Sequence, residues 1–306
     1  MKPAVEFAAI FLWLSASIAF GAQPSPKAGA LRTVEVLQGE IAEIKVSAPG
    51  VAAAEGRLGS EKIYFYPGDN GVFAALVGAD LETKPGPATI LVSGTTQSGA
   101  SWATQIPFKI KSKAFKSESF SVAQEFDQLS PEVLERIRRE QEQFARVFAV
   151  SAAQRLWARP FVGPLPKEIT SPFGYRRVIN GTPRAPHTGV DLKAAMETPV
   201  LAANHGRVVL LGDFFYSGKS LVVDHGSSLF TVYFHLSEFK AEQGSEVKKG
   251  DVIALSGMTG RVTGPHLHWG ARMNGARIDP FQLIEKLDGR ADGTASPVSN
   301  SEKAEK

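Results

Sequence analysis

Residues 264–270 read GPHLHWG, and this stretch decides the architecture of the C-terminal half of the chain. Side chains alternate between the two faces of a β-strand, so His266 and His268 are expected to share one face. Leu267 and Trp269 then pack beneath them. Two imidazoles that stand side by side on a strand predict that one binds a metal while the other reaches past it.

A second polar stretch lies upstream, where residues 187–191 read HTGVD and contribute His187 and Asp191. Two imidazoles and one carboxylate suit a catalytic zinc ion, because three protein ligands leave a fourth position open for water. The remaining imidazole of the HLH pair is then free to act as an acid or base. All six histidines lie between His187 and His268, and this clustering indicates a site.

A third histidine strand is predicted at residues 229–236, LFTVYFHL. Regular alternation places Leu229, Thr231, Tyr233 and His235 on one face. The other face is wholly apolar and is expected to be the packed one, so His235 should point to the accessible side.

The N-terminal sequence predicts export, and the whole chain contains no cysteine. Residues 7–22 are uncharged, follow Lys2 and end in small residues, which is typical of a signal peptide over 1–22 with cleavage after one of residues 19–22. The 16-residue apolar run is shorter than the ~20 residues of a spanning helix, although an uncleaved anchor remains the alternative. Without thiols, disulfides and cysteine ligands are excluded, and a metal site must use histidines and carboxylates.

The rest of the chain divides into β-rich and helical stretches. Short strands broken by Gly, Pro, Asn and Asp predict an immunoglobulin-like β-sandwich at 31–112, which lacks histidine and is expected to bind or position. A linker helix is predicted at 128–155, with Ser130 as its N-cap and an apolar stripe formed by Ile137, Phe144 and Phe148. It is expected to be either a structural strut between the domains or a cover for the active-site groove. A second β-domain follows at 160–287, and a disordered tail at 288–306.

The motifs HTGVD, VDHG, VYFHL and TGRVTGPHLHWG, preceded by SPFGYRR and NGTPR, resemble the lysostaphin- and LytM-type zinc metallopeptidases of the M23 family, particularly its periplasmic members. The resemblance covers the second domain and implies a compact antiparallel β-structure with one Zn²⁺ per chain. It implies that His187, Asp191 and His268 are the ligands and that His235 and His266 are catalytic. Their individual roles stay open, with His266 expected to lie nearer the reacting water.

Three further polar residues lie close to these motifs. Asn180 lines the groove in the resemblance and is a candidate substrate contact. His225 fits the family as a turn residue or a residue behind the ligands, and His205 is expected in a turn without chemistry. The glycine-rich stretch 257–264 lacks the Lys-Ser/Thr of a phosphate loop, and we expect it to turn tightly beside the groove.

The leading hypothesis is an exported zinc metalloendopeptidase of the periplasm or cell envelope, which cleaves peptide cross-links or stem peptides of bacterial peptidoglycan through a metal-activated water. The alternative is a non-catalytic or autoinhibited envelope protein that binds peptidoglycan or activates another cell-wall hydrolase. Expected partners are peptidoglycan and, through the β-sandwich, other envelope proteins. The net charge of +3 is weak, no basic-aromatic stripe favours nucleic acid, and membrane contact is expected only for an uncleaved leader.

Overall fold

The computed structural model describes residues 32–120, 129–179, 181–183 and 185–288. The predictions for the signal peptide, for Asn180 and for the tail after residue 288 lie outside these ranges. The described part of the chain is mainly β, which confirms the predicted fold class. The predicted domain boundaries stay predictions.

The N-terminal region consists of eight strands in two sheets. The strands are β1 (Val34–Leu37), β2 (Ile41–Ser47), β3 (Val51–Leu58), β4 (Glu61–Tyr64), β5 (Tyr66–Pro67), β6 (Val72–Gly78), β7 (Gly86–Thr96) and β8 (Ser101–Lys111). One sheet has the order β1-β8-β7-β3-β4 and the other β2-β6-β5. Buried side chains of both sheets, among them Val36, Ile44 and Ile90, form one apolar core. The arrangement is a two-sheet β-structure, and its immunoglobulin-like character stays a prediction.

One helix, α1 (Pro131–Phe148), follows strand β9 (Ser117–Phe120). As predicted, Ser130 caps the helix, and its hydroxyl accepts a hydrogen bond from the Val133 amide. The apolar stripe of α1 packs on aromatic side chains of the C-terminal sheet: Phe144 lies 4.7 Å from Phe214 between ring centroids, and Phe148 lies 5.4 Å from Phe230. The helix therefore covers part of that sheet.

The C-terminal region consists of a curled, mainly antiparallel sheet, a small three-stranded sheet that it shares with β9, and a short final helix. Its elements are β10 (Ile169–Ser171), β11 (Arg176–Ile179), β12 (Thr182–Pro183), β13 (Gly189–Lys193), β14 (Pro199–Leu201), β15 (Gly206–Phe214), β16 (Gly218–Asp224), β17 (Leu229–Phe239), β18 (Glu246–Val247), β19 (Val252–Ser256), β20 (His266–Met273), β21 (Ala276–Ile278) and α2 (Phe281–Lys286). The central order is β10-β13-β20-β17-β16-β15-β18. Leu267 and Trp269 of β20 are fully buried beneath this sheet, as the alternation predicts.

Strand β17 contains a bulge that overturns the predicted orientation of His235. Up to Phe234 it pairs with β20, and from Leu236 onward it pairs with β19. His235 lies between the two segments with a φ of 62°, so the alternation is interrupted and both Tyr233 and Leu236 enter the main core. The His235 ring consequently lies on the Phe234 side of the strand and is only 9% exposed. The prediction of an accessible His235 opposite the apolar face was wrong, since it assumed a regular pleat.

The two β-regions share a continuous interface. Ile41, Leu76 and Leu81 of the N-terminal sheets join the core of the C-terminal sheet. At the edge of this contact Arg277 binds Asp80 through two nitrogens, at 2.7 and 2.8 Å. Apolar burial and a bidentate ion pair together stabilise the relative position of the two regions. No helix within the described ranges is long and apolar enough to cross a membrane.

Candidate metal centre

Three side chains converge at one end of the β13–β20 pair. Strand register places Asp191 directly opposite His268, and His187 lies in the loop just before β13. The Nε2 atom of His187 lies 2.9 Å from Nδ1 of His268 and 3.0 Å from Oδ1 of Asp191. The Asp191 Oδ1 atom lies 3.0 Å from His268 Nδ1. The three residues are thus brought together on one small triangle of nitrogen and oxygen atoms.

The donor set of this triangle fits a zinc ion. Ligands 2.0–2.2 Å from a tetrahedral zinc lie about 3.3 Å from one another, close to the three separations observed. The His187 Nδ1 atom lies 3.0 Å from the Pro172 carbonyl oxygen. Because a carbonyl can only accept, Nδ1 carries the hydrogen and Nε2 presents its lone pair to the triangle. In this tautomer the His187 Nε2 lone pair and the Asp191 carboxylate oxygen face each other 3.0 Å apart, as two ligands of one cation do.

The charge of Asp191 supports the same conclusion. Burial disfavours its ionised form, but the close contacts with the imidazoles of His187 and His268 outweigh burial and hold the pKa of the carboxyl well below its usual range. Burial also lowers the pKa of His268. The centre is therefore a negatively charged oxygen beside His268, whose imidazole favours the neutral, ligating form.

Gly189 within HTGVD permits the close approach of β13 and His268. A Cβ atom at this position would lie 2.5 Å from the Trp269 carbonyl oxygen and 2.6 Å from His268 Nε2. The Nε2 atom of His268 is buried and, among the described residues, has no hydrogen-bond partner. Any side chain at position 189 would displace the imidazole ring, so the glycine is a geometric requirement of the centre.

His235 and His266 lie beside the triangle. The His266 Nε2 atom is 3.7 Å from Asp191 Oδ1, and the rings of His235 and His266 are 4.8 Å apart between centroids. The ring of His235 is farther from His268 than from His266, with centroids 6.1 Å apart. Of the two imidazoles, His266 therefore lies closer to the three converging atoms.

Backbone carbonyls of the 257–264 loop orient both rings. The Thr259 carbonyl accepts a hydrogen bond from His235 Nδ1 at 3.0 Å, and the Gly264 carbonyl accepts one from His266 Nδ1 at 2.9 Å. In the neutral form each ring therefore carries a lone pair on Nε2. Burial, followed by the nearby His268, lowers the pKa of His235 to about 4, so its ring is neutral at pH 7. The glycines of this stretch predict a tight turn, but no sequence signal indicates that its carbonyls fix the imidazoles.

The two remaining histidines lie away from the triangle. His225 is completely buried; its Nδ1 donates to the His205 carbonyl at 2.7 Å, and its Nε2 lies 2.7 Å from the Thr231 hydroxyl. Burial lowers the pKa of His225 to about 4. His205 accepts a bond from the Lys249 amide at 3.3 Å. Both histidines therefore serve the packing of the sheet and its turns, as the sequence favours.

Comparisons with known proteins find similarity in the segment that contains these residues. Residues 185–280 match peptidase family M23. The chain is 44% identical over 116 residues to the DD-carboxypeptidase/endopeptidase Mpg of Neisseria meningitidis, a match that covers 38% of this chain and 26% of Mpg. It is 41% identical over 115 residues to the peptidoglycan DD-endopeptidase ShyA of Vibrio cholerae, covering 37% and 27% respectively. The chain thus spans about a quarter of the length of these curated relatives.

A solved structure extends the likeness beyond the matched segment. The crystal structure of a Pseudomonas aeruginosa protein assigned to the M23 peptidases superposes with a TM-score of 0.62 at 28% identity. It covers 81% of this chain and 94% of the other, so both β-regions contribute to the match. The match to peptidase family M23 therefore lies within the C-terminal region, and the likeness to the solved structure extends over both β-regions.

Proposed function

We propose that the protein is a zinc metalloendopeptidase that hydrolyses peptide bonds of bacterial peptidoglycan. The observation that carries the proposal is the convergence of His187 Nε2, Asp191 Oδ1 and His268 Nδ1 within about 3 Å of one another. The substrate class rests on the relatives, whose names include DD-endopeptidase and peptidoglycan DD-endopeptidase. Export to the periplasm or envelope accompanies this proposal, because peptidoglycan lies outside the cytoplasm.

In this proposal His187, Asp191 and His268 hold the metal. When bound, zinc supplies a Lewis acid with an open coordination position. The Pro172 carbonyl fixes the ring of His187, and the register of β13 and β20 fixes Asp191 against His268. Because these supports are backbone atoms of packed strands and loops, the ligand atoms are held in position before the metal arrives.

His266 and His235 handle protons and the substrate carbonyl. His266 Nε2 lies nearest the converging atoms and faces them with a lone pair, which suits it to accept a proton from the attacking water. His235 Nε2 lies on the same side, one ring farther away, where it can form a hydrogen bond to the substrate oxygen or to the water. The carbonyls of Thr259 and Gly264 keep both Nε2 atoms directed toward the substrate.

The test is digestion of purified sacculi by the zinc-loaded chain, with the released fragments identified by mass spectrometry. We expect new stem-peptide products that are absent with His187→Ala. His205→Ala is the matched control, since His205 is outside the centre, and it should retain the products. Bound zinc without products would instead favour the occluded or activating envelope protein, and a folded chain that binds no zinc would refute the catalytic proposal.

A further inference from the structure

A cavity of about 510 Å³ lies between α1 and the sheet face that carries the metal centre. Phe144 and Phe148 of α1 line the cavity together with Val232 and Phe234 of β17. Arg272 of β20 lines one end. The volume is within the range of pockets that bind small ligands or a few peptide side chains.

The cavity adjoins the candidate metal centre through two of its lining residues. Phe234 stacks parallel on the ring of His268, with centroids 5.2 Å apart and an interplanar angle of 6°. Thr188, which follows His187 in the chain, also lines the cavity. A group bound in the cavity would therefore lie beside the metal centre.

Strand alternation sets the distance between the two sites. His268, Gly270 and Arg272 occupy alternate positions of β20 and share one face. The Val232 side chain covers Gly270 between them, since a Cβ atom there would lie 2.9 Å from Val232 Cγ2. Four residues of extended strand place the Cα atoms of His268 and Arg272 about 13 Å apart. An extended peptide of about four residues spans the same length.

Arg272 is a cation with no carboxylate partner among the described residues. Within the same ranges its hydrogen bonding is limited to a long contact, 3.5 Å from Nη1 to the Gly275 carbonyl, and its guanidinium lies 4.4 Å from the centre of the Phe148 ring. The neighbouring Arg277 also lines the cavity, but Asp80 and Glu82 already neutralise it. Burial lowers the pKa of Arg272, and the positive charge of the nearby Arg277 lowers it further, while Asp80 only partly offsets both effects.

We propose that this cavity is a subsite for a carboxylate of the peptide substrate, bound by Arg272 about four residues from the bond that is cleaved. A planar guanidinium binds a carboxylate through two parallel hydrogen bonds, and the partly desolvated setting strengthens the pair. The aromatic walls favour an aliphatic group that bears the carboxylate over a free, fully hydrated ion. The inference rests on the proposed peptidase function and adds a determinant of substrate choice at the same groove.

The test compares two substrates that differ only in charge. Cross-linked stem-peptide dimers are presented with free carboxylates, or after conversion of these carboxylates to primary amides. With the zinc-loaded wild type we expect kcat/KM to favour the free carboxylate by about tenfold to a hundredfold, the effect of one charge-assisted hydrogen bond. In Arg272→Gln that ratio should fall to near one, and Arg272→Lys should restore part of it.

Two controls distinguish a carboxylate subsite from a general effect of positive charge and from a defect in catalysis. Arg207→Gln removes one exposed positive charge outside the cavity lining and should keep the wild-type ratio. Binding of both dimers to the zinc-free chain, measured by calorimetry, provides a readout independent of cleavage. Cleavage of both dimers at equal rates would refute the subsite while leaving the peptidase intact. If neither dimer is cleaved but the carboxylate form binds more tightly through Arg272, the subsite stands and the proposed function fails.

Discussion

Replacement of Gly260 by alanine should disable His235 without touching a proposed metal ligand. Gly260 has a φ of +78°, and a Cβ atom there would lie 2.4 Å from the Gly218 amide nitrogen and 2.6 Å from the Tyr216 carbonyl oxygen. Both neighbours are backbone atoms that cannot rotate away. The loop must therefore shift, and the Thr259 carbonyl, which orients His235 Nδ1 at 3.0 Å, shifts with it.

The expected cost combines two terms. A left-handed conformation costs an L-residue about 1–2 kcal/mol. Overpacking against fixed neighbours adds about 1–3 kcal/mol. The free energy of unfolding should therefore fall by about 2–5 kcal/mol. A displacement of about 1 Å in a positioned catalytic group lowers turnover by about a hundredfold, so peptide release should fall by that factor.

Gly244→Ala is the matched control for this substitution. Gly244 has a similar φ of +88°, but a Cβ atom there meets nothing within 4 Å. It should lose only the conformational term, about 1–2 kcal/mol, and keep full activity. Urea unfolding, zinc content and the rate of peptide release are measured for both variants and for His235→Ala.

The double variant His235→Ala/Gly260→Ala completes the test. If Gly260→Ala acts through His235, the two losses of activity are not additive and the double variant is as slow as His235→Ala alone. A Gly260→Ala protein with wild-type activity, or one that loses activity because it no longer binds zinc, would refute the reasoning.

Two further predictions concern charge. Asp191→Asn should weaken zinc binding by more than about 100-fold, since even the loss of a residue behind the ligands lowers metal affinity by about 10–100-fold. Zinc content after dialysis and the zinc-induced rise in Tm measure this effect. Asp213→Asn, at an exposed position, is the control. His225 should make the zinc-free protein acid-sensitive. Its pKa of about 4 in the folded protein lies below the value of 6.5 in the unfolded chain. The stability contribution of its neutral, buried ring is therefore present above pH 6.5 and is lost as the pH falls toward 4. Between pH 7 and pH 5 this amounts to about 2 kcal/mol of unfolding free energy. His225→Asn, whose amide can still donate to the His205 carbonyl, should be less pH-dependent by that amount in urea unfolding, and equal slopes for both proteins would contradict the burial argument.

Much of the site can be predicted from local sequence patterns, because the direction of a side chain on a strand depends only on its position in the alternation. The two-residue period of a strand places His266 and His268 on one face above the buried Leu267 and Trp269, and the structure confirms this. The same rule fails at His235. The bulge at this point uses a residue with a φ of 62°, and histidine predicts that conformation much less clearly than glycine does.

The strands of the N-terminal region show a similar limit. Most of them are predicted by β-branched and aromatic runs, but β3 (VAAAEGRL) escapes this rule because alanine carries little β-propensity. Its position is set by its neighbours, since it pairs with both β4 and β7. Sheet pairing between distant segments therefore supplies what the local composition does not.

The sequence predicts an apolar stripe on α1 and an apolar face on β17, but it does not indicate that these two surfaces pack against each other. Phe230, Val232 and Phe234 are predicted to pack, and they do, but against the helix and not against the main core. Phe234 contacts Phe144 of α1 on one side and the proposed ligand His268 on the other. Helix α1 is therefore more than a strut between two domains. Its packing and the position of the His268 ring both depend on the Phe234 side chain, so a change in one is expected to affect the other.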